Sequence, residues 1–540
     1  MKLVNFFALI SILAVRTAAL AFEVNCADAD LSRLTKSVYV SPQGSDSSTC
    51  GQTASSPCKT IQQGITNCSG EGCGVLVRYG VYDVDKPIEM ADGVSLYGSC
   101  IFGETTYKYR STIIGHPAIR ANRINKLTTV QGFVILYGSA PAPPGQASIA
   151  MSVRESNGLV LSHNTFASGQ GGPGSNGTSA NGGPGGNGSP ATSEGGGNGG
   201  LACPASPPER DDGKGGKGAD YNQVRSSGCF LECNCSDANP NQSVGKDGNG
   251  SGDVRGGSGR GRGAAGCSCR GGSASSGDGG TGGKGNPGSC GIKGGQWSEN
   301  NKGSFRETTW IPSTGHAGDN GRVGSGGGGG GSGGYATYLY VGTSRGVTGV
   351  MNLPGRPGGG GGGGGCGGHG GQGGQQGGAS IPLVLFASSL TAVPNTNVLI
   401  PGPGGRGGTG ARGGTGGMGG TGGGGRGGQK HGSELCGAGR SPGNGGNGGD
   451  GGQGGAGAGG AGGNGGPSFG IALISSQLQA GSITIYTAQP GNGGARGLGA
   501  QNDNSQCKAP DGEDGRSGFA DNSNSIVTFS LVPRRGEDNQ

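Results

Sequence analysis

The chain is short of the residues from which most functional sites are made. Aromatic residues fill 5% and charged residues 13% of its 540 positions, and it has two Trp and five His. Its Arg and Lys are scattered among glycines without aromatic partners, which excludes a groove that stacks bases and grips phosphates. Beyond the first residues no apolar run approaches the ~20 residues of a membrane-crossing helix. With 27 prolines the chain is too poor in imino acid for a collagen helix. Cys233/Cys235 and Cys267/Cys269 lack both the usual zinc-site spacing and a nearby histidine, so disulfides are the better reading. Acidic residues are sparse too. Asp83, Asp85, Glu89 and Asp92 form the early cluster, and a solvated turn accounts for them. No catalytic, cofactor-binding or metal-ligating residue is assigned, and no cofactor is expected.

Residues 1–21 carry Lys2, an apolar run from Leu3 to Val15 and then Ala19-Leu20-Ala21, the features of a secretory signal. Its removal takes Lys2 and Arg16 and lowers the formal charge from +6 to +4. The 16 cysteines are even in number, and in an exported chain they point to disulfides. Cys50–Cys58 and Cys68–Cys73 are attractive local loops, and the remaining connectivity stays open. Asn67, Asn176, Asn187, Asn234, Asn241 and Asn249 lie in N-x-S/T sequons.

Glycine is abundant and uneven. Residues 1–168 hold 15 of the 138 glycines, which leaves 123 among the remaining 372, about a third. Their phase is informative. From Pro403 the non-glycine residues fall at Arg406, Thr409, Arg412, Thr415, Met418 and Thr421, with an extra Ala411. From Ser441 they fall at Asn444, Asn447, Asp450, Gln453 and Ala456, and from Cys366 at His369, Gln372 and Gln375. This Gly-Gly-X period of three matches the three residues per turn of a polyproline-II-type helix, with X along one edge and bare backbone along the other two. Bare edges let neighbouring helices approach and exchange hydrogen bonds. The phase slips at Gly424 and Ala458 are the expected turns or irregularities. Fixing each residue costs roughly 1–2 kcal/mol against about 0.5–1.5 kcal/mol net per hydrogen bond. An isolated tract is therefore disordered; one anchored at both ends can order. Both outcomes stay open.

Residues 37–168 have ordinary β-composition. Val38-Tyr39-Val40 is strand-like, Thr60 precedes a short helix with Ile61 and Ile65 on one face, and Val75, Val77 and Tyr79 alternate along a second strand. This order resembles the opening of secreted right-handed parallel β-helix proteins of the pectin-lyase-like superfamily, in which a small helix covers the bore. Coil-like segments recur at Ser148–Phe166, Tyr335–Met351, Ser380–Ile400 and Ser468–Tyr486, with a partial copy at Phe519–Leu531. The expected fold class is all-β: a right-handed parallel β-helix interrupted by long glycine-rich inserts, in polyglycine-II-like bundles or partly disordered, and stapled by disulfides. A β-sandwich is the alternative. The expected division is a signal at 1–21, a cap and first coils at 22–168 and a cysteine-containing insert at 169–334. Further coils follow at 335–535, with inserts at 352–379, 402–467 and 490–518, and a polar tail at 536–540. The Gly-Gly-X tracts resemble the bundles of snow-flea-type antifreeze proteins and of phage tip adhesins.

The functional expectation is an exported, non-enzymatic structural or adhesive protein of a cell surface or extracellular matrix. Its partners would be extracellular glycans or another surface, with no nucleic acid and no transmembrane segment. Gly368-His369-Gly370 matches a short polygalacturonase motif, but the clustered aspartates and the Arg-Ile-Lys element of those enzymes are missing. A polysaccharide lyase or hydrolase of the same fold is the alternative. Ice binding by Thr409, Thr415 and Thr421 is the second, weakened by Arg406, Arg412 and Met418 between them.

Overall fold

The computed structural model describes residues 26, 31–68, 70–101, 110–138, 140–192, 195–201, 214–220, 246–248, 257–259, 266–267, 278–297, 303–334, 336–341, 348–427, 442–480, 483–502, 507–519 and 526–529. It is an all-β molecule. The segment read as an export signal lies outside these residues, as do Cys203, Cys229, Cys233, Cys235, Cys269, Asn234, Asn241 and Asn249.

Its spine is three parallel sheets. The first holds Lys36–Val40, Cys73–Arg78, Val94–Cys100, Thr128–Gln131, Leu159–Ser162, Ser389–Ala392 and Gln477–Ala480. The second holds Gly80–Asp83, Ser111–Gly115, Phe133–Tyr137, Thr165–Ala167, Val398–Ile400 and Thr484–Ile485. The third holds Ile88–Glu89, Ile119–Asn122, Ser148–Arg154, Ser380–Phe386, Ile471–Ile474 and Ile526–Phe529. The chain visits the sheets in turn, so equivalent side chains of successive circuits stack. Strand alternation turns one set of side chains inward. Leu96, Val130 and Leu161 on the first sheet, Ile113, Ile135 and Phe166 on the second, and Ile119, Val153 and Leu385 on the third are buried in one continuous core.

Helix α1 (Ile61–Asn67) closes one end. Thr60 Oγ1 accepts from Gln63 N at 3.2 Å, the expected cap, and Ile61 and Ile65 enter the core. Asp46 Oδ1 accepts from the backbone of Lys59 and Thr60 at 2.7 and 2.9 Å, holding the turn before the helix. Disulfides Cys50–Cys58 and Cys68–Cys73 clasp this end, and Cys26–Cys100 adds a third.

Every long insert leaves from one corner. Residues 168–379, 401–470 and 486–525 each depart after a strand of the second sheet and return at a strand of the third. Serines mark the corner: Ser380 Oγ donates to Gly169 O at 2.7 Å and Ser468 Oγ to Gly402 O at 2.8 Å. Gly169 N donates to Ser148 Oγ at 2.7 Å.

One repeat behaves otherwise. Ala336–Val341 pairs antiparallel with Thr348–Leu353, and Gly266–Cys267 lies beside it. The expected coil at Tyr335–Met351 is therefore a hairpin off the spine. Alternation has period two in parallel and antiparallel strands alike, so the pattern does not separate them. The segments at Ser148–Arg154, Ser380–Phe386, Ile471–Ile474 and Ile526–Phe529 do lie side by side in register.

Candidate interaction surface

The described glycine tracts carry no helix and few strands, yet their backbones are systematically bonded. Gly359, Gly362, Gly365, Gly368 and Gly371 donate in steps of three to Gly446, Gly449, Gly452, Gly455 and Ala458. Gly360, Gly363 and Cys366 donate to Ser189, Gly186 and Gly183, and Gly358 and Gly361 to Ala219 and Gly216. The carbonyls of the same tract accept from Gly330 and Gly327, from Gly423 and Gly420, and from Gly197 and Gly200. Six tracts thus surround residues 357–363, three reached through N–H groups and three through C=O groups. No side chain fits there: a Cβ on Gly361 would overlap Gly327 O. Where X itself is glycine, at 326–331 and 358–365, the chain is buried.

Non-glycine X residues lie mainly at the rim, and many have a structural task. Asn176, Asn181 and Asn187 Oδ1 accept from the backbone N of Thr409, Thr415 and Thr421 at 2.8, 3.0 and 3.0 Å. Asp450 Oδ1 accepts from Gly422 N at 3.1 Å, and Asn447 Oδ1 from Gly425 N at 2.9 Å. These carboxyl and carboxamide groups complete the backbone bonding where a tract has no neighbour on that side. Sequence reasoning misses this role, although Asn and Asp recurring at X is its signal.

The expected irregularity at Ala458 is absent. The donors Gly452, Gly455, Ala458 and Ala461 meet Ser325, Arg322, Asp319 and His316 without a break. The phase changes because Ala456 and Ala458 are buried against Ala500, Ala509 and Cys290. Near Gly424, by contrast, space opens, with nothing within 4 Å of a Cβ built there.

The residues weighed for chemistry are placed apart. Glu89 meets Arg120 at 3.4 Å, Asp92 Oδ1 accepts from Asn125 N and Lys126 N at 2.8 and 2.7 Å, and Asp83 and Asp85 are exposed. His369 is exposed on a tract whose backbone is bonded to Ala180 and Gly414. Asp46, Cys50 and Cys58 come together, but the cysteines are joined as a disulfide and Asp46 caps the backbone. Among the described residues no helix is long and apolar enough to cross a membrane.

What remains open to a partner is a surface. Tract 403–424 is flanked by 171–191, 360–378, 448–466 and 489–498. Its free edge presents Arg406, Thr409, Arg412, Thr415, Met418 and Thr421, with the arginines and Met418 exposed.

No protein-family profile matches the chain, and no curated protein matches it. Among solved structures it is similar to a rhamnogalacturonan lyase at 14% identity, over 24% of this chain and 36% of that one, with a TM-score of 0.18.

Proposed function

We propose that this protein is an exported, non-enzymatic structural or adhesive element. In this reading the three parallel sheets form a right-handed β-helix, and the tracts form a polyglycine-II-type slab fixed to one of its corners. The slab holds polar X side chains at fixed spacing toward extracellular glycans or another surface. The observation that carries the reading is the bonding of residues 357–363 to tracts on six sides. Such a slab is ordered mainly by backbone hydrogen bonds, with only a small alanine cluster as apolar packing, which suits a projection more than a catalytic cleft.

Binding of the purified protein to immobilised matrix polysaccharides tests the reading. Incubation with pectin, alginate and other uronans, followed for unsaturated products or reducing ends, runs beside it. Binding without product supports it; product formation replaces it with a polysaccharide lyase or hydrolase.

A further inference from the structure

We propose that the free edge of tract 403–421 is a docking strip for a linear acidic glycan. The inference deepens the reading of a glycan-contacting protein and rests on it.

Charge is the first observation. The adjoining segments 169–192 and 401–427 contain no Asp or Glu. Arg406 and Arg412 are exposed and have no ion-pair partner among the described residues. Arginines on the spine are matched, as in Arg120–Glu89 at 3.4 Å, Arg123–Glu155 at 2.9 Å and Arg154–Glu307 at 3.0 Å. Among the described residues, then, the guanidinium groups of Arg406 and Arg412 have no acidic counterpart, and the nearest carboxylate bonded to the tract, Asp450, lies at its far end against Gly422 N.

Its chemistry is the second. A rise of about 3.1 Å per residue spaces X positions by roughly 9 Å and the two arginines by roughly 19 Å. Between and beside them stand the Thr409 and Thr415 hydroxyls. On the next tract, the exposed Asn176 and Asn181 accept at Oδ1 from the backbone of Thr409 and Thr415, and each carboxamide still has its Nδ2 donors to offer. Guanidinium, hydroxyl and amide donors match carboxylates and hydroxyls along an extended sugar chain. No aromatic residue lies in either segment to stack a base, which favours a glycan over a nucleic acid. The strip is preorganised because its backbone is bonded to four neighbouring tracts, so docking orders no loop.

The test is titration of the full chain with polygalacturonate, alginate and a neutral galactan, at low and at about 0.15 M salt. The acidic chains should bind, more weakly as salt rises. The double variant R406A/R412A should bind them roughly three- to tenfold more weakly, as expected for two exposed ion contacts. The variant R322A, an exposed arginine on a tract not bonded to 403–421, should bind as the wild type does. Equal affinity for galactan, or unchanged binding by R406A/R412A, overturns the inference while leaving a glycan-binding protein. Failure to bind any of the three removes the inference together with the function on which it rests.

Discussion

Among the described glycines the room for a side chain ranges from none to ample, and two positions mark the extremes. At Gly361 a Cβ would overlap the carbonyl oxygen of Gly327, whereas at Gly424 it would meet nothing within 4 Å. Gly361→Ala should therefore destabilise the bundle by about 1–3 kcal/mol, as overpacking does. Gly424→Ala should be neutral or stabilise by up to about 1 kcal/mol, through the unfolded chain. Thermal melts of the two variants check this, and equal melting temperatures would count against the packing described. Asn67 is a second such position. Its Nδ2 donates to Ser47 O at 2.9 Å and Cys50 O at 3.0 Å, so its sequon is closed by the fold. Asn67→Ala should cost about 1–3 kcal/mol in denaturant unfolding. Peptide mass mapping of protein secreted from a eukaryotic cell should find Asn67 unmodified. Neither fact is legible in the sequence, where all Gly-Gly-X triplets and all sequons look alike. What is legible is the centre of the bundle, because the two long runs in which X is also glycine, 326–331 and 358–365, are buried; the short run around Gly424, which has open space, shows that glycine at X alone does not mark it.

Elements show how period and partner differ. The opening strand, helix α1 and the coil strands follow from alternation and from Thr60, whose cap is local. The hairpin Ser304–Arg306 and Thr309–Ile311 is not legible, because its three-residue strands are too short to show a period. It lays Phe305 and Trp310 over the outer face of the third sheet, against Ile381, Val384, Phe469 and Ile474. At its tip Glu307 meets Arg154 at 3.0 Å, Arg154 also meets Glu155 at 3.1 Å, and Glu155 meets Arg123 at 2.9 Å. The Arg123 hydrogen bond, with a smaller contribution from Arg154, holds the Glu155 carboxyl below its ordinary pKa. A depressed carboxylate stabilises the fold above its unfolded pKa, and that contribution disappears as pH falls through the folded value. The melting temperature should therefore drop on acidification below the ordinary carboxylate range. The variant E155Q should flatten that part of the profile; an unchanged profile would remove Glu155 from the account. Trp310→Ala should cost about 3–5 kcal/mol, as loss of a buried aromatic does, and free the hairpin without unstacking the sheets. Protease susceptibility confined to residues 303–314 would report it.

At the scale of the molecule, two assemblies with different physics share one chain. The spine is held by apolar burial, and its core runs unbroken from Val38 to Leu473. The bundle is held by backbone bonds between segments far apart in sequence, each offsetting little more than the entropy of ordering glycine. Its stability depends on anchorage: at the serine corner on one side, and at the Cys290–Cys507 disulfide, which spans 217 residues, on the other. The local pairs Cys50–Cys58 and Cys68–Cys73 could be read from spacing, but a bridge between the first and last inserts could not. A disulfide typically contributes about 2–4 kcal/mol. The variant C290S/C507S should lose that amount from the bundle alone. Hydrogen exchange should rise at Gly291, Gly459 and Gly497, whose amides bond near the bridge, and stay slow at Val130, Ile135 and Val153 in the spine. Equal acceleration in both regions would mean that bundle and spine unfold as one unit, and the corner would then be a rigid joint that passes strain from glycine tract to sheet.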